Sequence, residues 1–148
     1  MRAVELVATL FHALVFGIAT GGYLALAWSP FLLLRRLRRL FEIGPTTEWW
    51  TNYLLSATGF GIVHVSLGLF IWFTFDPIAP IIVLTATGTI VALTGMAIAG
   101  VILPSMGLQW ANENAAMPTA IALLGSAIWY IGVSVIPPFV LWTMTLAQ

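Results

Sequence analysis

The sequence predicts an all-α integral membrane protein: a four-helix bundle of antiparallel up-down topology with both termini on the outer side of the membrane. Three observations predict it. Hydrophobic residues make up 61% of the 148 and charged residues 7%, and mean hydropathy is +1.05, whereas a soluble domain carries about a quarter charged residues. The five basic and five acidic side chains bunch at Arg2, Glu5, Arg35 to Glu42, Glu48, Asp76 and Glu113. The four uncharged runs between them each exceed the roughly 20 residues that cross about 30 Å of hydrocarbon. These runs also lack the alternation of barrel strands, and a helix satisfies its own backbone polar groups in lipid.

The chain reads as a single transmembrane domain over residues 1–148, with spans at about 4–28, 50–75, 79–103 and 118–145. Trp28, the Trp49/Trp50 pair, Trp110 and Trp142 fall near span ends, as interfacial indoles do. Pro45, Pro77, Pro80, Pro104 and Pro118 punctuate the same boundaries. Pro137 and Pro138 lie inside the fourth span, where they free carbonyls that need a neighbour. "ALA" at 25–27 resembles a signal-peptidase site. The net-neutral start, Arg2 with Glu5, and the length of the apolar run argue instead for a retained first span.

"RRLRRLF" at 35–41 sets the orientation, because the positive-inside rule places it in the cytoplasm and the Asp76 turn outside. Leu33, Leu37 and Leu40 face one way and the arginines the other, so this segment is expected to lie along the inner headgroups. Anionic lipid or a partner subunit are its candidate contacts. The third loop, "PSMGLQWANENAAMP", is polar rather than basic and suits a protein contact.

Small residues at helical spacing mark where helices approach in lipid. One row is Thr85, Gly88, Ala92, Gly95 and Ala99, and a second is Ala57, Gly61, His64 and Gly68. A third is Ala8, His12, Val15, Ala19, Gly22 and Ala25. Both histidines of the sequence therefore fall on expected seam faces. Counted from Trp28 and Trp50, His12 and His64 lie about 24 and 21 Å from the inner interface. Level imidazoles on neighbouring helices suit the axial ligands of a b-type haem. Gly61 and Gly68 would clear room for the porphyrin, and Thr9, Thr58 and Ser66 would hold the far ring nitrogens. The alternatives are hydrogen bonding across a helix interface and other porphyrin, copper or proton-transfer roles.

Other chemistry finds little support. With no cysteine, disulfides, thiolate metal sites and iron–sulfur clusters are excluded. Two imidazoles are too few for a tetrahedral metal site, and Met96 and Met144 complete a copper site only if helix rotation joins them. No nucleophile has an adjacent base, no phosphate-cradling loop appears, and a net charge of zero gives no sign of a nucleic-acid partner.

The stretch "FHALVFGIATGGYLALAWSPFLLLRRLRRL", residues 11–40, resembles the opening of small four-helix membrane proteins of the CopD and HemJ type. It has a histidine early in the first span, then small residues, then a basic patch. That resemblance implies copper uptake or haem-linked porphyrin oxidation, with His12 in the position of the central histidine. HemJ-type proteins also use a later lysine that this sequence lacks, so only a His12 facing a haem-like ligand carries over. Size, span count and the histidine pair are also similar to the membrane anchors of quinone-linked dehydrogenases, which adds quinone to the candidate partners.

The functional expectation is a multi-pass cell-membrane subunit that carries haem b for a respiratory or photosynthetic electron-transfer complex. Other membrane subunits and lipid would surround it. The alternatives are a cofactor-free accessory subunit, a small carrier, or a porphyrin-linked enzyme.

Overall fold

The computed structural model describes residues 3–75, 79–108, 110 and 116–146. The side chains of Thr9 and Trp142, the Asp76 turn, and Glu113 with most of the third loop lie outside the described residues. Among those described, every regular element is helical: α1 (Ala3–Trp28), a 3-10 turn (Ser29–Leu33), α2 (Arg35–Glu42), α3 (Trp49–Thr74) and α4 (Pro80–Ala97). A π turn (Ile98–Ile102), the short α5 (Leu103–Ser105) and α6 (Ala116–Leu146) complete the order. Four stretches are long and apolar enough to cross a membrane: Leu10–Leu33, Trp49–Thr74, Pro80–Ser105 and Thr119–Val140. Large apolar side chains such as Leu26, Phe73 and Val101 point outward and are more than half exposed, a surface of the kind that suits hydrocarbon rather than water.

The bundle is built from two tight pairs. In the first, Gly17 lies against Ile62 and Gly21 against Thr58 and Ala57, so numbering falls along α3 as it rises along α1. A methyl group at Gly61 would come within 2.6 Å of the Gly21 Cα. Glycine lets the two backbones touch here, and dispersion between them replaces the hydrophobic force that lipid cannot supply. In the second pair, Gly88 of α4 makes room for the Ser134 hydroxyl of α6. The α1 seam is therefore Gly17, Gly21 and Leu24, which corrects the expected row. Of that row, Ala25 is buried, while His12, Val15, Ala19 and Gly22 face outward.

Carbonyls that lose their helical donors find side chains instead. Pro137 carries no N–H for the carbonyl of Val133, and the Tyr23 hydroxyl donates to it at 2.7 Å. Pro30 likewise leaves the carbonyl of Leu26 to the Ser29 hydroxyl at 2.7 Å. The indole N–H of Trp129 donates to Ala27 at 2.8 Å, so α6 is tied to α1 at two levels. Tyr23→Phe is expected to cost about 1 kcal/mol of stability, the usual worth of such a bond in a membrane bundle. Thermal unfolding in detergent measures it, and an unchanged midpoint would count against the Val133 bond.

α2 confirms the amphipathic reading with one adjustment: Leu33 is 86% exposed in the preceding turn, while Leu37 is fully buried. Arg38 lies over the Trp49 ring, 5.5 Å from its centroid. The connection to α3 is pinned by Asn52, which is 3% exposed. Its amide donates to the carbonyls of Phe41 and Thr46, each at 2.9 Å. Its oxygen accepts from the Thr46 backbone at 3.0 Å and the Thr46 hydroxyl at 2.8 Å. Every donor and lone pair of the amide is thus used, and a Cβ on Gly44 would collide with it. Asn52→Leu strands these groups and is expected to cost about 2 kcal/mol. Release of α2 would be read as faster tryptic cleavage at Arg35, Arg36, Arg38 and Arg39.

Trp110 departs from its expected place at the interface. It is 5% exposed and packs with Leu37 and Ala99, because its indole N–H donates to the carbonyl of Ala99 at 2.7 Å. That carbonyl is available because the Leu103 N–H reaches back to Ile98 instead, one residue beyond the α-helical partner.

Candidate functional site: a cavity between the helix pairs

A cavity of about 350 Å³ lies between the two pairs, with α2 at one end of it. Trp28 of α1, Phe41 of α2, Tyr53 and Phe60 of α3, Gly95 of α4 and Tyr130 of α6 all line it. Small residues make the space: Ala57, Ala92 and Ala127 stand on its walls, and Gly95 lets the Phe60 ring approach. Aromatic contacts fix the α2 end. Trp28 stacks on Tyr53 with centroids 6.1 Å apart, and Phe41 meets Tyr53 edge-on at 5.1 Å. Volume, apolar walls and few polar groups are the features of a small-molecule pocket.

The polar groups are few and mostly committed. The Tyr53 hydroxyl donates to the carbonyl of Ala25, and the Ser126 hydroxyl donates to Leu123 at 2.8 Å. Tyr130 differs, because its hydroxyl lies 3.1 Å from Nδ1 of His64, with ring centroids 6.0 Å apart and planes 61° apart. His64 is 8% exposed and does not itself line the cavity, whereas Tyr130 does. Sequence reasoning singled out His64 and missed Tyr130. The signal was present in the register of α6, where Ser126, Tyr130 and Ser134 recur every four residues.

The two histidines are not brought together. The pairing of Gly17 with Ile62 and Gly21 with Thr58 makes His12 level with residue 67, about 4.5 Å from the level of His64. Direction separates them. His12 is about 140° around α1 from Gly17, is exposed, and its Nδ1 bonds to the carbonyl of Ala8 at 2.6 Å. His64 turns inward to α6. The space beside Gly61 is filled by the α1 backbone, and Gly68 faces the Thr87 side chain at 3.7 Å. Ser66 is exposed and Thr58 lies against Gly21. Met96 lines the cavity while Met144 is 60% exposed. Among the described residues no three histidine or carboxylate groups gather as metal ligands. Thr87 is 1% exposed, and its hydroxyl has no hydrogen-bond partner in the structure.

A family model described as "Domain of unknown function (DUF8162)" matches residues 6–148. The chain belongs to the DUF8162 family. No match was found among curated proteins or among solved structures. For this DUF8162 protein the cavity and the Tyr130–His64 pair at its inner wall are therefore the features from which function is read.

Proposed function

We propose that this DUF8162 protein is a multi-pass cell-membrane protein that binds a flat, lipophilic ring molecule in the cavity between its helix pairs. The observation that carries this reading is the cavity itself: about 350 Å³ of space with aromatic walls and, at Tyr130, a hydroxyl paired with His64 that suits a polar substituent. A close-packed bundle has no need of such a void, since unfilled space costs dispersion energy. In this reading α2 lies on the cytoplasmic face, as its arginines favour. The bundle runs up and down with its termini outside, in keeping with the reversed register of each contacting pair. The ligand then enters from the inner leaflet. Binding, rather than bond chemistry, is the role, performed alongside other membrane subunits.

A b-haem between His12 and His64 is the weaker proposal, because one imidazole faces outward and the other faces Tyr130. A sharp b-type band in the reduced-minus-oxidised spectrum, lost in both His12→Ala and His64→Ala, would restore it.

The direct test is saturable binding of radiolabelled methylnaphthalene to the detergent-solubilised chain, with empty micelles as the blank. One site per chain is expected, and Ala92→Phe, which places a phenyl ring in the cavity, is expected to weaken it about tenfold or more. Absence of saturable binding, or unchanged binding in a folded Ala92→Phe variant, would overturn the proposal.

A further inference from the structure

Resting on the cavity reading above, we infer that the occupant is a quinone-class ring, and that Tyr130 reads its oxygen while His64 exchanges tautomers between the oxidised and reduced forms. Hydroxyl bookkeeping at the walls singles out Tyr130. Tyr53 and Ser126 give their protons to helix carbonyls, and those acceptors are fixed, so neither proton is free for a ligand. Ser56 also lines the cavity, but it lies eight residues, or about 12 Å, nearer the α2 end than His64. The Tyr130 hydroxyl instead faces Nδ1 of His64 at 3.1 Å, an atom that accepts in one neutral tautomer and donates in the other.

That choice gives the site two complementary states. With the proton on Nδ1, His64 donates to the Tyr130 oxygen, and the phenolic O–H is free to donate to a carbonyl. With the proton on Nε2, Nδ1 accepts the phenolic proton, and the Tyr130 oxygen is free to accept from a ligand hydroxyl. A quinone offers carbonyl acceptors and its quinol offers hydroxyl donors on the same flat ring, so one pair of side chains serves both. The exchange moves one proton between two ring nitrogens. No charge is created in hydrocarbon, where an unpaired ion is costly, and no electron is transferred at the site. The rest of the wall supplies the ring with aromatic surface from Trp28, Phe60 and Tyr53.

The test compares menadione, menadiol and methylnaphthalene, which share a ring system and differ in oxygen chemistry, on the detergent-solubilised full chain. Menadione and menadiol are each expected to bind about tenfold more tightly than the hydrocarbon, the value of one well-made hydrogen bond. Tyr130→Phe is expected to lower the affinity of both about tenfold, to the hydrocarbon's level, with a helical circular-dichroism spectrum equal to that of the natural chain certifying the variant's fold. In a His12→Asn background, where His64 is the remaining histidine, the ¹⁵N resonance of Nδ1 is expected to move from a protonated to an unprotonated position when menadiol replaces menadione. Equal binding of all three compounds would leave the cavity reading standing and overturn the quinone inference. A resonance that does not move, or menadiol binding about tenfold weaker than menadione, would overturn the tautomer exchange. Failure of all three to bind would overturn the cavity reading as well.

Discussion

Gly61→Ala is expected to destabilise the bundle by about 3 kcal/mol, the upper end for an added methyl group in a packed interior. The reason is the identity of what it meets. The new methyl would lie against the Gly21 Cα at 2.6 Å and against the neighbouring α1 backbone, and backbone cannot rotate away as a flexible side chain can. The helices must separate, and every dispersion contact along Gly17–Ile62 and Gly21–Thr58 weakens with them. Gly59→Ala is the matched control: it lies on the same helix with nothing within 4 Å. It is expected to gain up to about 1 kcal/mol, because alanine loses less backbone entropy in a helix than glycine does. Unfolding of both variants in the same micelles separates close packing from helix propensity, and equal midpoints would sink the explanation.

The contrast between these glycines also explains what was legible in the sequence. Hydropathy pointed to four helices long and apolar enough to cross a membrane, because length and apolarity are required of each such segment independently. The rotation of each span is a different matter. On α3 the row through Gly61 and His64 was readable, since Leu54, Leu55, Val63 and Phe70 crowd the exposed side. On α1 small residues occur on both sides, and Ala19 and Gly22 made an equally good row to Gly17 and Gly21. Choosing between them requires knowing which residues α3 presents, and that is a property of the pair. The same limit hid the cavity. Ala57, Ala92, Gly95 and Ala127 look like further packing residues, and they become cavity walls because the Gly61 and Gly88 contacts hold the two pairs tightly at other levels. His64 was visible as an anomaly in its own helix, whereas its partner Tyr130 lies 66 residues away and belongs to an α6 stretch of ordinary interfacial appearance.

Trp110→Ala is expected to cost about 4 kcal/mol, and the cost has two separable parts. Loss of the indole from the cluster with Leu37 and Ala99 opens a cavity, typically about 3–5 kcal/mol for a buried aromatic. Loss of its N–H leaves the Ala99 carbonyl without a donor in a buried site, typically about 1–3 kcal/mol. Trp110→Phe retains much of the volume and removes the bond, so it is expected to cost about 2 kcal/mol. The need for that bond originates at Pro104. Its ring has no N–H to give and excludes the Gly100 carbonyl from its α-helical position. The turn before it widens to the π form, in which Leu103 donates to Ile98 and Ala99 is passed over. In Pro104→Ala the turn can tighten, the Leu103 N–H can return to Ala99, and the indole bond becomes redundant. Trp110→Phe is therefore expected to cost at least about 1 kcal/mol less in the Pro104→Ala background than in the natural chain, a coupling of the size found for residues sharing one hydrogen-bond network. Strict additivity of the two substitutions would show that the π turn arises from packing around Ala99 rather than from Pro104. A large positive coupling would show that one proline in the third span dictates where a tryptophan of the following loop is held.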